Sequence, residues 1–177
     1  MRGKMMSLVK EGFSLVLAPQ DIRTFFVSFS TFQRRFLLQS NRFCELLLDV
    51  LRENRVKKRI AVHGFVFMPN HVHLLLTPAP EVSLEKAVQF IKGGFSYRPN
   101  KELGFRGEIW NNGFNEHRVR DAFDYVKHIE YTHSNPVKAG LVSRPEEWPY
   151  SSARLRNEID LAPSQFRNPS AKAPILP

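Results

Sequence analysis

The chain has 177 residues, 42% hydrophobic and 24% charged, which is the composition of one globular domain or of one domain and a tail. Its 26 Lys and Arg against 17 Asp and Glu give a net charge of +9, an excess that points to a polyanionic partner such as nucleic acid. No apolar run approaches the roughly 18 residues that span a bilayer, residues 1–19 lack a signal-peptide pattern, and a single cysteine, Cys44, excludes an internal disulfide or a thiolate cage, so a reducing cytoplasm is the expected compartment.

Residues 1–20 carry no sustained periodicity and read as an N-terminal arm. Arg23 to Ser30, rich in Phe, Val and Thr, reads as a first strand. Ser40 or Asn41 is placed to cap a helix whose Phe43, Leu46, Leu47, Val50 and Leu51 recur at the spacing of one buried face, with Cys44 a small packing residue on it. Two apolar runs, Ile60–Phe67 and His71–Thr77, joined through Met68-Pro69-Asn70, predict a hairpin that Pro78 and Pro80 end. Leu84, Ala87, Val88, Ile91 and Phe95 form a second helical stripe, expected to close at or just after Gly93-Gly94. Short strands at about Arg106–Trp110 and Phe114–Arg120 flank Asn111-Asn112-Gly113, which is hairpin-turn chemistry. Asp121 can cap a last helix, with Asp124 in its first turn and Pro136 and Gly140 to stop it.

From Ser143 the chain is turn-rich, and residues 156–177 read as a flexible tail, with disorder expected from Pro163. The resulting expectation is an α+β fold, a single domain over residues 21–155. Its central antiparallel sheet has a split βαβ, ferredoxin-like element order plus an extra strand, and its helices pack on one face.

In the second hairpin strand, alternation sends His71 and His73 to one face and Val72, Leu74 and Leu76 to the other, core-facing side. Two neutral imidazoles so placed make half of a divalent-metal site, although His-x-His alone is a weak motif. On the last helix Ala122, Val126, Ile129 and His133 share one side, read as the core face with His133 a packing residue. Tyr131 falls opposite, with Asn135 one turn on and His128 one turn back. Asn135 directly precedes Pro136, whose ring disfavours the α region there and biases Asn135 toward a last-turn or cap position.

A phenol of this kind can attack a phosphate and form a covalent phosphotyrosine, while a metal held by His71, His73 and the Asn135 amide oxygen would orient the phosphate and offset its charge. Mg²⁺ or Mn²⁺ suits such a substrate, imidazole ligands tilting the choice toward Mn²⁺. A free phenol keeps its proton until about pH 10, so attack needs the metal or a base, for which His128 and Glu130 are the candidates.

Phe67-Met68-Pro69-Asn70-His71-Val72-His73-Leu74-Leu75 resembles the histidine–hydrophobe–histidine (HUH) motif of the single-tyrosine transposases of the IS200-like class. Glu130-Tyr131-Thr132-His133-Ser134-Asn135-Pro136 through Val142, then Trp148-Pro149-Tyr150-Ser151-Ser152, with Glu116-His117-Arg118-Val119-Arg120 before the helix, is similar to their REP-associated branch. The resemblance covers about residues 20–155. It implies that Tyr131 is the nucleophile, that His71, His73 and Asn135 are metal ligands, and that the fold is a central antiparallel sheet with helices. It further implies bacterial DNA transposition chemistry: single-stranded DNA nicked and joined through a 5′-phosphotyrosine, near hairpins of the repetitive extragenic palindrome kind, in the nucleoid. Many mobile relatives carry Gln where this chain has the shorter Asn135. A homodimer is left open.

Two other readings remain. The fold could serve a non-catalytic single-strand binder, with Arg55, Lys57, Lys58, Arg59, Lys86, Lys92, Arg98 and Arg118 on phosphates and some Phe rings stacking on bases. A small phosphoesterase or RNA-processing enzyme is the third.

Overall fold

The structure is a computed structural model and describes residues 22–167. The expected arm at residues 1–20 and the end of the tail, residues 168–177, lie outside the described residues. The elements are β1 (Phe25–Ser30), α1 (Asn41–Val56), β2 (Ile60–Met68), β3 (His71–Pro78), α2 (Leu84–Leu103), β4 (Asn115–Arg118) and α3 (Ala122–Lys138), with short 3₁₀ turns between. The sheet order is β2-β3-β1-β4 and every neighbouring pair is antiparallel, which is the split βαβ arrangement.

Side-chain alternation makes two faces of this sheet. Phe25, Val27 and Phe29 of β1 join Val72, Leu74 and Leu76 of β3 in the main core, under α1 and α2. Phe26 and Leu75 point the other way, where Tyr125 and Ile129 of α3 cover them with Val119 and Phe166. Helices therefore flank both faces, a correction to the one-face expectation. Its cause is that the face holding His71 and His73 carries enough apolar surface at Phe26 and Leu75 to seat a third helix.

Three local expectations also change. Helix α2 runs through Gly93-Gly94, because the missing side chain lets α2 approach α1: a β-carbon on Gly94 would lie 3.2 Å from Val50. It ends instead at Gly104, in the left-handed region at φ 65°. Asn111-Asn112-Gly113 does not turn a hairpin. Trp110 bridges Thr31 while Asn115–Arg118 pairs with Phe25–Ser28, so both pieces run along the same edge of β1. Continuing the β4 register would bring Asn112, not Trp110, to Thr31, so the segment bulges by two residues. Helix α3 passes through Pro136 and closes on Gly140 at φ 68°, with Leu141 N–H donating to Pro136 O and Gly140 N–H to Val137 O.

Within the expected domain, Tyr150 O accepts from Phe67 N–H and Ser152 N–H donates to Phe65 O, covering the outer edge of β2. Of the segment expected to be a flexible tail, residues 156–166 pack on the domain: Phe166 is buried, Asp160 holds Arg55 through two 2.9 Å hydrogen bonds, and Glu158 pairs with Arg52 at 2.7 Å. These partners are over a hundred residues away in sequence, beyond the reach of local patterning. Among the described residues no helix is long and apolar enough to cross a membrane.

Candidate active site

Register decides which side chains meet. In β3, His71 pairs with Ser30 and His73 with Ser28; both imidazoles emerge on one face as expected, and that face is the one α3 covers. Their centroids are 4.8 Å apart with planes nearly perpendicular, and the Phe26 ring of β1 stacks on His73 at 5.3 Å. Helix α3 is seated over this face by Ile129 against the bare backbone of Gly64 and by His133 Nε2, which lies 2.8 Å from Ser152 Oγ. The packing role read for His133 agrees with this contact. The inward stripe is nevertheless rotated from the expected one: Tyr125, Thr132 and Pro136 are buried, whereas Val126 is exposed.

That seating brings the Tyr131 ring to 5.4 Å from His73 and 5.7 Å from Phe26, edge-on to both, while leaving it 44% exposed. Lys138, two turns along, places its ammonium 5.3 Å from the same ring. A phenol reachable by solvent thus stands beside an imidazole pair of which His73 is buried and His71 half-buried.

The imidazoles are held neutral. His71 Nδ1 donates to Asn70 Oδ1 at 2.8 Å, because an amide oxygen can only accept, so Nε2 keeps its lone pair. Burial, then the neighbouring His71, pushes His73 down to about 3. Burial also lowers His71, helped by the Arg34 charge; the Asn135 side chain, in a contact looser than an ordinary hydrogen bond, works the other way. Buried His73 Nδ1 has no hydrogen-bond partner among the described residues, and such an orphan costs about 1–3 kcal/mol unless something binds there. Two neutral imidazoles, one orphaned nitrogen and a nearby carboxamide form a donor set that fits a divalent cation.

The remaining candidates are distributed differently. His128 is half-buried, its Nδ1 2.8 Å from Asp124 O and its ring 4.7 Å from Phe26, while Glu130 is exposed, one residue and so about 100° round the helix from Tyr131. Of the basic residues, Lys92 donates to Asn111 O and Gly113 O, pinning the bulge, and Arg98 pairs with Glu102, Asp49 and Glu53. Arg55 is taken by Asp160, and Arg59 lies 4.2 Å over the Phe90 ring. Lys57 pairs loosely with Glu53 at 3.5 Å, Lys86 reaches Gln89 at 3.1 Å, and Lys58 and Arg118 face solvent.

Three residues at the site escape a sequence reading. Phe26 appears only as a strand aromatic, and Lys138 only as a C-terminal helix cation. Arg34 comes near His71 from a turn in which Gln33 and Arg34 both adopt φ 53°, a conformation that non-glycine residues rarely signal.

Comparison with known proteins agrees with the fold and with the family resemblance. The family model described as Transposase IS200 like matches residues 24–134, and the chain belongs to that family. A REP-associated tyrosine transposase of Escherichia coli K12 is 28% identical over 130 residues, covering 73% of this chain and 75% of that protein. A Haemophilus influenzae relative is 29% identical over 116 residues, covering 59% of this chain and 66%, just under two thirds, of its own length. The solved structure of a REP-associated tyrosine transposase bound to a REP hairpin shares the fold, with a TM-score of 0.65 at 22% identity over 97% of this chain and all of that one.

Proposed function

We propose that this protein nicks and rejoins single-stranded DNA beside hairpins through a covalent 5′-phosphotyrosine on Tyr131. In the first step the Tyr131 hydroxyl oxygen bonds to phosphorus and the bond from phosphorus to the 3′-oxygen breaks. The phenol gives up its proton to base or water, and the 3′-oxygen leaves as a hydroxyl after taking one up. Joining is the reverse, with an incoming 3′-hydroxyl displacing the tyrosine. His71, His73 and Asn135 would hold Mg²⁺ or Mn²⁺, which when bound supplies charge for the phosphate oxygens. The chain's own groups do the rest: Phe26 and the hairpin hold the imidazoles in place, Arg34 adds positive charge near His71 and Lys138 near the phenol, and α3 fixes the phenol.

The observation that carries this reading is the approach of Tyr131 to His73 at 5.4 Å, from elements 58 residues apart in sequence, on the one face where both imidazoles are neutral. All four residues belong to one chain, which supports a site built within a single copy. Solvent-facing Lys57, Lys58, Lys86 and Arg118 are the proposed phosphate contacts, the relative solved with a REP hairpin supports a hairpin substrate, and the bacterial nucleoid is the proposed place of action.

The test is a 5′- and 3′-labelled single-stranded hairpin incubated with Mg²⁺ or Mn²⁺. A covalent adduct is expected with wild type and none with Tyr131→Phe, while His71→Ala and His73→Ala keep DNA affinity and lose cleavage. Hairpin binding without any cleavage would favour the binding-only reading, and RNA cleavage that survives Tyr131→Phe would favour a phosphoesterase.

A further inference from the structure

A second group of ligand-type side chains lies on the far side of Phe26. His117 of β4 and Asp124 and His128 of α3 present ligand atoms that all fall within 4.8 Å of one another. The Asp124 carboxylate is shared: Oδ2 is 2.7 Å from His117 Nε2, and Oδ1 is 3.1 Å from His128 Nδ1. The two imidazoles stack at 4.6 Å with planes 22° apart. Phe26 separates them from the first pair, touching His128 at 4.7 Å on one side and His73 at 5.3 Å on the other.

We propose that His117, Asp124 and His128 form a second metal site, distinct from the His71/His73 pair. Two imidazole nitrogens and a carboxylate oxygen select a borderline ion such as Zn²⁺ or Co²⁺, since Mg²⁺ favours oxygen ligands and retained water. Three protein ligands leave room for water or another group at the fourth position. His128 Nδ1 also contacts its own helix at Asp124 O, so the imidazole exchanges that hydrogen bond for the ion on loading. The ligands join an edge strand to the first two turns of α3, three residues before Tyr131, so the ion fastens β4 to the helix that carries the phenol. The proposal does not depend on the DNA chemistry.

The test reads metal content rather than cleavage. The full chain is stripped with chelator, titrated with Zn²⁺ or Co²⁺, dialysed, and assayed for bound metal per chain and for thermal midpoint. In a His71→Ala/His73→Ala background, one tightly held ion per chain and a raised midpoint are expected, and Co²⁺ should give a ligand-field spectrum of low coordination number. Adding His117→Gln, or Asp124→Asn, should abolish both. Circular dichroism confirms that each variant is folded, and the two single changes act as independent replacements for each other. No retained ion in the His71→Ala/His73→Ala protein, or an ion that survives both further changes, would overturn the assignment and leave the cluster a hydrogen-bonded clasp.

Discussion

A β-carbon on Gly64 would lie 2.7 Å from Cδ1 of Ile129. The strand therefore has a notch into which α3 settles, and the depth of that notch sets how near Tyr131 comes to His73. The atom met is the free end of the Ile129 side chain, so Gly64→Ala should first force a new rotamer there and tilt the helix only slightly, at the low end of the roughly 1–3 kcal/mol typical of overpacking. The expected outcome is a lower thermal midpoint together with slower adduct formation. Ile129→Val in the same chain should recover part of both, and unchanged adduct rates in Gly64→Ala would contradict the notch.

His73 offers a trade between stability and activity. Folding keeps it neutral down to about 3, whereas an unfolded histidine takes up a proton below about 6.5. The folded-state value is depressed, so stability is complete above pH 6.5 and falls as the solution is acidified. His63, His71 and His133 are shifted the same way by burial, so they add to the loss. The ion-paired carboxylates of Glu158 and Asp160 contribute only below about 4.5, where unfolded carboxylates protonate. Denaturant midpoints should thus decline between pH 6.5 and 4.5 because of histidines. His73→Leu should flatten that decline and stabilise the metal-free protein, since it removes an orphaned nitrogen, yet abolish cleavage.

Tyr131→Phe should leave the fold intact. The ring is exposed on one side and meets Phe26 and His73 by its edge, contacts that phenylalanine keeps. The stability change should stay within about 0.5 kcal/mol by denaturant titration. A large loss would mean that the hydroxyl has a structural role.

Arg55→Ala should act on stability before it acts on DNA. Its guanidinium forms a two-pronged, charge-assisted contact with Asp160, which also accepts from Val62 N–H. Losing it leaves a half-buried carboxylate short of a partner, at about 1–3 kcal/mol. Limited proteolysis should then cut in residues 156–167 first, and resistance equal to wild type would count against Asp160 anchoring this segment.

What is legible in the sequence is what repeats locally. The period-two alternation of His71 to Leu76 sets which face the imidazoles occupy, and Asp121 marks the start of α3, where its side chain accepts from Asp124 N–H at 2.8 Å. The stripe on α3 is legible in part: Ile129 and His133 face inward as read, but Val126 is exposed and the buried positions are Tyr125, Thr132 and Pro136, residue types that do not advertise burial. Pro136 does not end the helix at once because its missing N–H forfeits a single bond, four residues back, and only two more residues follow before α3 closes. Arg55 looks like a free cation in the sequence because Asp160 comes to it only through tertiary folding, whereas the closest partner of Arg98, Glu102, stands one helical turn away in its own segment.

Helix α3 is gripped along its length, at Asp124 by His117, at Ile129 by the Gly64 notch and at His133 by Ser152. A tyrosine on so firm a mount is poorly suited to ferry a bound strand from one place to another. On the proposed chemistry, exchange of cut ends would have to come from the nucleic acid swinging across a stationary platform.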